Sequence, residues 1–323
     1  MKKFHLLASL ILIALGTVFL SGCGGSDSDV VVVNEQKQKD TLEHSDEYDY
    51  KIYLITMDLA DIFWTQIDEG CRQAVSEIGG INYKWLGPDV NTDELQMVCI
   101  DQAVEEGVDA LVIASSSKKG INASLEKAAA KGVKLVFVDN PAEFEHVAFL
   151  ATDNEAAGKV AGETLRKGLE EAGITSGTIA LTANKDNVTS TELRIKGFRT
   201  AFEGTNFTLT DIFYMEDNDQ SLKDYAAAHP EYIAFFGSNE RTARNIGEQM
   251  KESNSKQMVM GFDTSDSVLT LLYDGYLYAT IQQNPQRMGH DGLDIAVKAL
   301  KGEYKENNAR IDTGVKVLYR KEI

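Results

Sequence analysis

Tyr50-Lys51-Ile52-Tyr53-Leu54-Ile55, an amphipathic stretch from about Phe63 to Ile78, and then Asn82-Tyr83-Lys84-Trp85-Leu86 set the rhythm that decides the fold. A short apolar run reads as a buried strand, and apolar residues at helical spacing behind it read as a helix on one face of a sheet. The unit then repeats, with a helix over Asp93 to Glu106, a strand over Ala110 to Ala114, a helix over Ile121 to Lys131 and a strand over Lys134 to Val138. Its connections end in glycine (Gly79-Gly80, Gly107, Gly132), which suits the backbone turn past a helix C-terminus. Strands apolar throughout and separated by amphipathic helices define βαβ units, and so a parallel sheet covered on both faces.

The rhythm restarts after Ala148-Phe149-Leu150. A helix rich in small residues (Ala156, Ala157, Gly158, Ala161, Gly162) leads to a strand at Thr178 to Thr182, a helix near Arg194 to Phe202 and a strand at Leu209 to Tyr214. A short helix at Ser221 to Ala228, a strand at Tyr232 to Phe236, a helix at Thr242 to Lys251 and a strand at Gln257 to Gly261 complete this half. Two successive α/β sets of similar size predict two similar, doubly wound, parallel-sheet lobes, and 323 residues suffice for two cores. A helix near Val268 to Tyr273, a strand at Tyr278 to Gln282, a helix at Met288 to Leu300 and a strand near Val315 to Tyr319 exceed what one lobe needs. The chain is therefore expected to cross between lobes more than once.

Upstream, Lys2 and Lys3 precede an apolar run from Leu6 to Leu20 that is too short to span a bilayer with margin, so it reads as a secretory signal. The closing Leu20-Ser21-Gly22-Cys23 resembles the lipobox of bacterial lipoproteins. That resemblance implies a signal peptide over 1–22, lipidation of Cys23 and an extracytoplasmic protein tethered to a bacterial membrane without spanning it. An ordinary signal peptide with an incidental cysteine is the alternative. Residues 23–47 then form the lipidated cysteine and a polar, flexible spacer, interrupted by a strand-like Val30 to Val33 that nothing nearby covers.

Composition narrows the function classes. Hydrophobic residues make up 43% and charged residues 25%, as in ordinary globular proteins, and the net charge of −18 repels phosphate backbones. The five histidines (His5, His44, His146, His229, His290) are scattered without metal-ligand spacing, and neither a Gly-x-Ser-x-Gly elbow nor a phosphate-binding loop is present. No catalysis, cofactor or resident metal is expected. Glu216-Asp217-Asn218-Asp219 lacks the glycine and distal glutamate of a calcium loop and reads as a solvated turn. Cys71 and Cys99 fall on apolar faces of helices expected on opposite sides of one sheet, so no bridge is predicted between them.

In open parallel sheets ligands gather beyond the carboxyl ends of the strands. The residues there are Asp58 to Trp64, Ser115 to Ser117, Asp139-Asn140, Ala183 to Thr191, Met215 to Asp219, Gly237 to Arg241, Asp263 to Ser265 and Gln283. The set is polar and acidic with one aromatic pair, Phe63-Trp64. Carboxylates and amides bind hydroxyls while an aromatic face covers the apolar side of a sugar ring, so the chemistry is sugar-like.

From about Tyr50 onward the chain resembles the type I periplasmic sugar-binding proteins. The signals are Asp61-Ile62-Phe63-Trp64, Phe137-Val138-Asp139, Ala151-Thr152-Asp153-Asn154, Lys196-Gly197-Phe198, Gly237-Ser238-Asn239-Glu240, Gly261-Phe262-Asp263 and Thr280-Ile281-Gln282-Gln283, in that order and spacing. The resemblance implies two α/β lobes joined by three crossovers, with 48–153 plus 284–311 in the first lobe and 154–283 plus 312–323 in the second. It also implies ligand capture for delivery to an ABC permease, by a protein acting as a monomer. Presentation of the ligand to a membrane kinase or chemoreceptor is the alternative output. Phe63 and Trp64 would stack on the ring, Asp61 and Asp139 would bind hydroxyls from the first lobe, and Asn239, Asp263 and Gln283 from the second lobe and hinge. Each has a structural alternative: core for Phe63 and Trp64, helix caps for Asn239 and Asp263, and a crossover backbone contact for Gln283. Two positions depart from the ribose-binding pattern. Asn140 stands where that pattern has an arginine after the aspartate, and an ungapped alignment puts Glu192 at a second arginine. The expectation is a more acidic site for a ligand other than ribose, either a different polyol or one bearing an amino group.

Overall fold

The computed structural model describes residues 48–186, 188–215 and 218–323. The signal peptide, Cys23, the spacer with Val30 to Val33, and Glu216-Asp217 of the acidic turn lie outside the described residues. The first lobe is built from β1 (Tyr50–Ile55), α1 (Ile62–Ile78), β2 (Ile81–Leu86), α2 (Asp93–Glu105), β3 (Ala110–Ile113), α3 (Asn122–Ala130), β4 (Lys134–Val138) and β5 (Ala148–Ala151). The second comprises α4 (Asn154–Glu171), β6 (Gly177–Ala183), α5 (Thr189–Thr200), β7 (Phe207–Tyr214), α6 (Asp219–Ala228), β8 (Ala234–Gly237), α7 (Glu240–Ser253), β9 (Met258–Phe262), α8 (Asp266–Asp274) and β10 (Ala279–Gln282). The chain then returns to the first lobe as α9 (Pro285–Leu300) and β11 (Ala309–Asp312), and ends in the second as β12 (Lys316–Tyr319).

The first sheet runs β11-β5-β4-β3-β1-β2, and the second runs β12-β10-β9-β8-β6-β7. Core strands thus follow one order twice, and three crossovers join the sheets, after β5, β10 and β11. Every pairing in the first sheet is parallel, whereas β12 joins β10 antiparallel, a departure from the purely parallel expectation. β11 carries alternating exposure at the sheet edge and pairs with β5 through Asp312, so the first sheet takes one residue beyond the expected boundary at 311.

Alternation within the strands sorts the apolar side chains onto two faces. In β1, Ile52 and Leu54 join the core beneath α1 and α9, while Tyr53 and Ile55 join the core beneath α2 and α3. Cys71 belongs to the former core and Cys99 to the latter, and both are free thiols on opposite faces of the sheet. β8 repeats the pattern, with Ala234 and Phe236 on one face and Phe235 on the other. In each lobe a glycine-mediated helix contact lets backbones touch. Gly70 of α1 faces the Gln286 carbonyl, and Gly158 of α4 lies so close to the Arg194 carbonyl of α5 that a Cβ would overlap it.

Candidate functional site

The carboxyl ends of the two sheets face each other across a cleft of about 600 Å³. Both edges of this cleft begin with local chain geometry. In the first lobe, Asp61 caps α1 by accepting a hydrogen bond from the Phe63 N–H at 2.9 Å. This places Phe63 and Trp64 in the opening turn, on the cleft wall, with their rings edge to face at 5.2 Å between centroids. Trp64 is largely buried in the first-lobe core, and its indole Nε1 has no hydrogen-bond partner in the structure. Phe63 stays partly open.

β4 and β9 each deliver an aspartate in the left-handed backbone region, Asp139 at φ 59° and Asp263 at φ 69°. Non-glycine residues adopt this region seldom, Asp and Asn more readily than others, and such strain collects at functional sites. Asn140 Nδ2 donates to Asp139 at 2.8 Å. Across the cleft, Asp263 accepts from Gln283 Nε2 at 2.6 Å and from the Glu240 N–H at 3.3 Å. Gln283 in turn accepts from the Thr152 hydroxyl at 2.9 Å, so one side chain ties the first two crossovers to the second lobe.

Arg194 is the cleft's cation. It is buried, lies over the Phe262 ring at 3.8 Å, donates to Asn154 at 2.8 Å and to the Ser238 carbonyl at 3.1 Å, and approaches Asp263 at 3.9 Å. Burial lowers its pKa against the pull of Asp263 and Asp139, yet a guanidinium stays charged in proteins. Burial also pushes the Asp139 carboxyl up to about 6, with Arg194 opposing and the carboxylates of Asp263 and Asp61 adding to the rise.

Of the expected site residues, Asp61, Phe63, Trp64, Asp139, Asn140, Asp263 and Gln283 come together on the cleft wall. Three do not. Ser115 is buried with its hydroxyl donating to the Ser117 carbonyl. Asn239 caps α7, accepting from the Thr242 N–H at 3.0 Å, while its neighbour Glu240 reaches the wall. Glu192 is exposed on an outer groove with Lys196, Arg199 and Tyr214. The reason is helical phase. Thr191, Arg194, Ile195 and Phe198 form the buried face of α5 at i, i+3, i+4 and i+7, and Glu192 falls off it. The expected loss of two arginines is therefore corrected to one, since Arg194 occupies the cleft. Asn154, Ser190, Thr264 and Ser265 also line it. The last three of these fall within the strand-end segments expected to gather ligand, whereas Asn154 opens α4 shortly after β5.

Two similar lobes closing on a polar cleft, joined by three crossovers, define a two-lobed ligand-binding protein. Residues 52–304 match the periplasmic binding protein domain, and the chain belongs to that family, on the type I sugar-binding side. It is similar to a ribose import binding protein of Haemophilus influenzae, 26% identical over 273 residues that cover 83% of this chain and 90% of that protein. Among solved structures it is similar to an ABC transporter solute-binding protein from Agrobacterium vitis with bound D-fucose, at 26% identity and TM-score 0.70, covering 84% of this chain and 96% of that one. A carbohydrate transporter solute-binding protein from Agrobacterium radiobacter in complex with D-arabinose gives 26% identity and TM-score 0.71, covering 84% and 95%. These relatives are transport binding proteins, not enzymes. The family implies an extracytoplasmic location, and no helix among the described residues is long and apolar enough to cross a membrane.

Proposed function

We propose that this chain is an extracytoplasmic solute-binding lipoprotein that captures a small sugar-like ligand between its lobes and delivers it to an ABC permease. The observation that carries the reading is the cleft itself. Phe63 offers an apolar ring face, and Asp61, Asp139 and Asp263 offer acceptors for hydroxyl donors from two walls that can close. A ligand touching both walls gains its full contact set only in the closed state, so binding shifts the population toward closure. The import names of the relatives favour delivery to a permease over presentation to a membrane kinase or chemoreceptor. In this reading the signal occupies 1–22, Cys23 carries the lipid, and 24–47 spaces the lobes from the membrane. The lobes are 48–153 plus 284–312 and 154–283 plus 313–323, in a single working copy.

The test is thermal unfolding of a soluble form starting after Cys23, screened against monosaccharides, polyols, amino sugars and nucleosides. Ligand binding to the native state raises the midpoint. A selective rise with one sugar-like class, accompanied by a change in Trp64 fluorescence, is the expected result. A midpoint unmoved by every member of the panel overturns the reading.

A further inference from the structure

The charges in the cleft do not balance. Asp61, Asp139, Glu240 and Asp263 line it against the single guanidinium of Arg194. Two of these carboxylates are already matched. Asp263 holds Arg194 at 3.9 Å and the Gln283 amide at 2.6 Å, and Glu240 accepts from Ser265 at 2.8 Å and faces Arg244 at 3.4 Å. Neither first-lobe carboxylate has an ion pair among the described residues, although the charge of Arg194 acts on Asp139. Asp61 uses one oxygen to cap its own helix, and the hydrogen bond Asp139 receives comes from the neutral Asn140 amide. Burial is the main cause of the rise of Asp139 toward 6; Arg194 opposes it, and Asp263 and Asp61 add to it.

Closing such a cleft over a neutral polyol would withdraw two carboxylates without an ion pair further from water, at several kcal/mol per fully buried charge. Hydroxyl donors offset that only in part, whereas a cation between the carboxylates supplies attraction strengthened by the low dielectric. Resting on the sugar-binding reading of the cleft, we infer that the ligand is an amino sugar or aminopolyol whose protonated amine sits between Asp61 and Asp139 while its apolar ring face lies on Phe63. Arg194, stacked on Phe262 and turned to Asp263, then orients the second-lobe side of the site.

Isothermal titration of the soluble protein with D-glucosamine, D-galactosamine and D-mannosamine, each paired with its parent hexose and its N-acetyl derivative, tests this. At least one free amine is expected to bind tenfold or more tightly than its neutral partners. Asp61→Asn keeps the helix cap, because Asn caps as well as Asp. It is expected to shrink the amine-over-hexose ratio at least fivefold. Asn140→Arg, which supplies the missing cation from the protein, is expected to reverse the preference. A parent hexose or N-acetyl sugar binding as tightly as the amine overturns the inference while leaving sugar capture intact. An unchanged ratio in Asp61→Asn overturns the placement of the ammonium. Failure of the amines and of every neutral sugar in the wider panel overturns both this inference and the capture reading beneath it.

Discussion

Asp139 and Asp263 occupy the same place in two sheets, one residue past β4 and one past β9, each in left-handed backbone and each on the cleft wall. Their neighbourhoods differ. Asp263 has Arg194 and Gln283 beside it, whereas burial raises the Asp139 carboxyl from its ordinary 3.8 to about 6, with Arg194 opposing the rise and Asp263 and Asp61 adding to it. The unfolded chain therefore releases this proton near its ordinary value and the folded, empty protein releases it two pH units later. Stability linked to Asp139 is complete below the lower value and falls as pH rises through the window, by about 3 kcal/mol at most. Asp139→Asn is expected to flatten this fall and to leave the empty protein more stable than wild type at pH 7, as read from urea unfolding at pH 4.5 and 7. Equal pH slopes for the two proteins would place the strain elsewhere. At this scale the sequence shows the chemistry better than the geometry. The two strand-end aspartates and the Phe63-Trp64 pair are legible from their positions after apolar runs. The cleft arginine falls at Arg194 and not at the ungapped position of Glu192, because two residues along a helix turn the side chain by about 200° to the opposite face.

The pairing of α4 with α5 sets where Arg194 stands, and a glycine makes it possible. A methyl at Gly158 would overlap the Arg194 carbonyl, and the reciprocal Gly197 meets the Glu155 carbonyl in the same way. Gly158→Ala is expected to lose about 1–3 kcal/mol of stability through overpacking. It is also expected to weaken ligand affinity by pushing α5 and its arginine outward, a loss that titration would detect. Affinity unchanged alongside lowered stability would separate the helix contact from the site. The elements themselves were largely legible, because strands apolar throughout and bounded by amphipathic helices leave few competing readings. α5 begins at Thr189, ahead of the expected start near Arg194, because Thr189-Ser190-Thr191 carries weak helical preference and gains its place from packing. β11 carries little strand signal because Ala309-Arg310-Ile311-Asp312 is short and only half apolar, as an edge strand can be. The antiparallel direction of β12 depends on where the chain comes from, which no local pattern records.

For the molecule as a whole, Gln283 links Thr152 of the first crossover to Asp263 of the second lobe. Gln283→Ala leaves Asp263 without its amide donor and removes the tie between crossovers. An affinity loss of roughly tenfold is expected, as is a broader distribution of interlobe distances by double electron–electron resonance between one spin label on each lobe. An interlobe distribution identical to wild type would assign Gln283 to ligand contact alone. The crossovers have another effect, on the order in which the protein can come into being. β1 opens the first lobe, but α9, which buries Met288, Leu293 and Ala296 over the face bearing Ile52 and Leu54, is made only after the core of the second lobe has been threaded between them. The edge strand β11 arrives later still. A chain emerging from the ribosome therefore cannot close its first lobe until translation is nearly over. The connectivity thus acts as a timer: until its own tail arrives, the first-lobe face bearing Ile52 and Leu54 stays without its α9 cover.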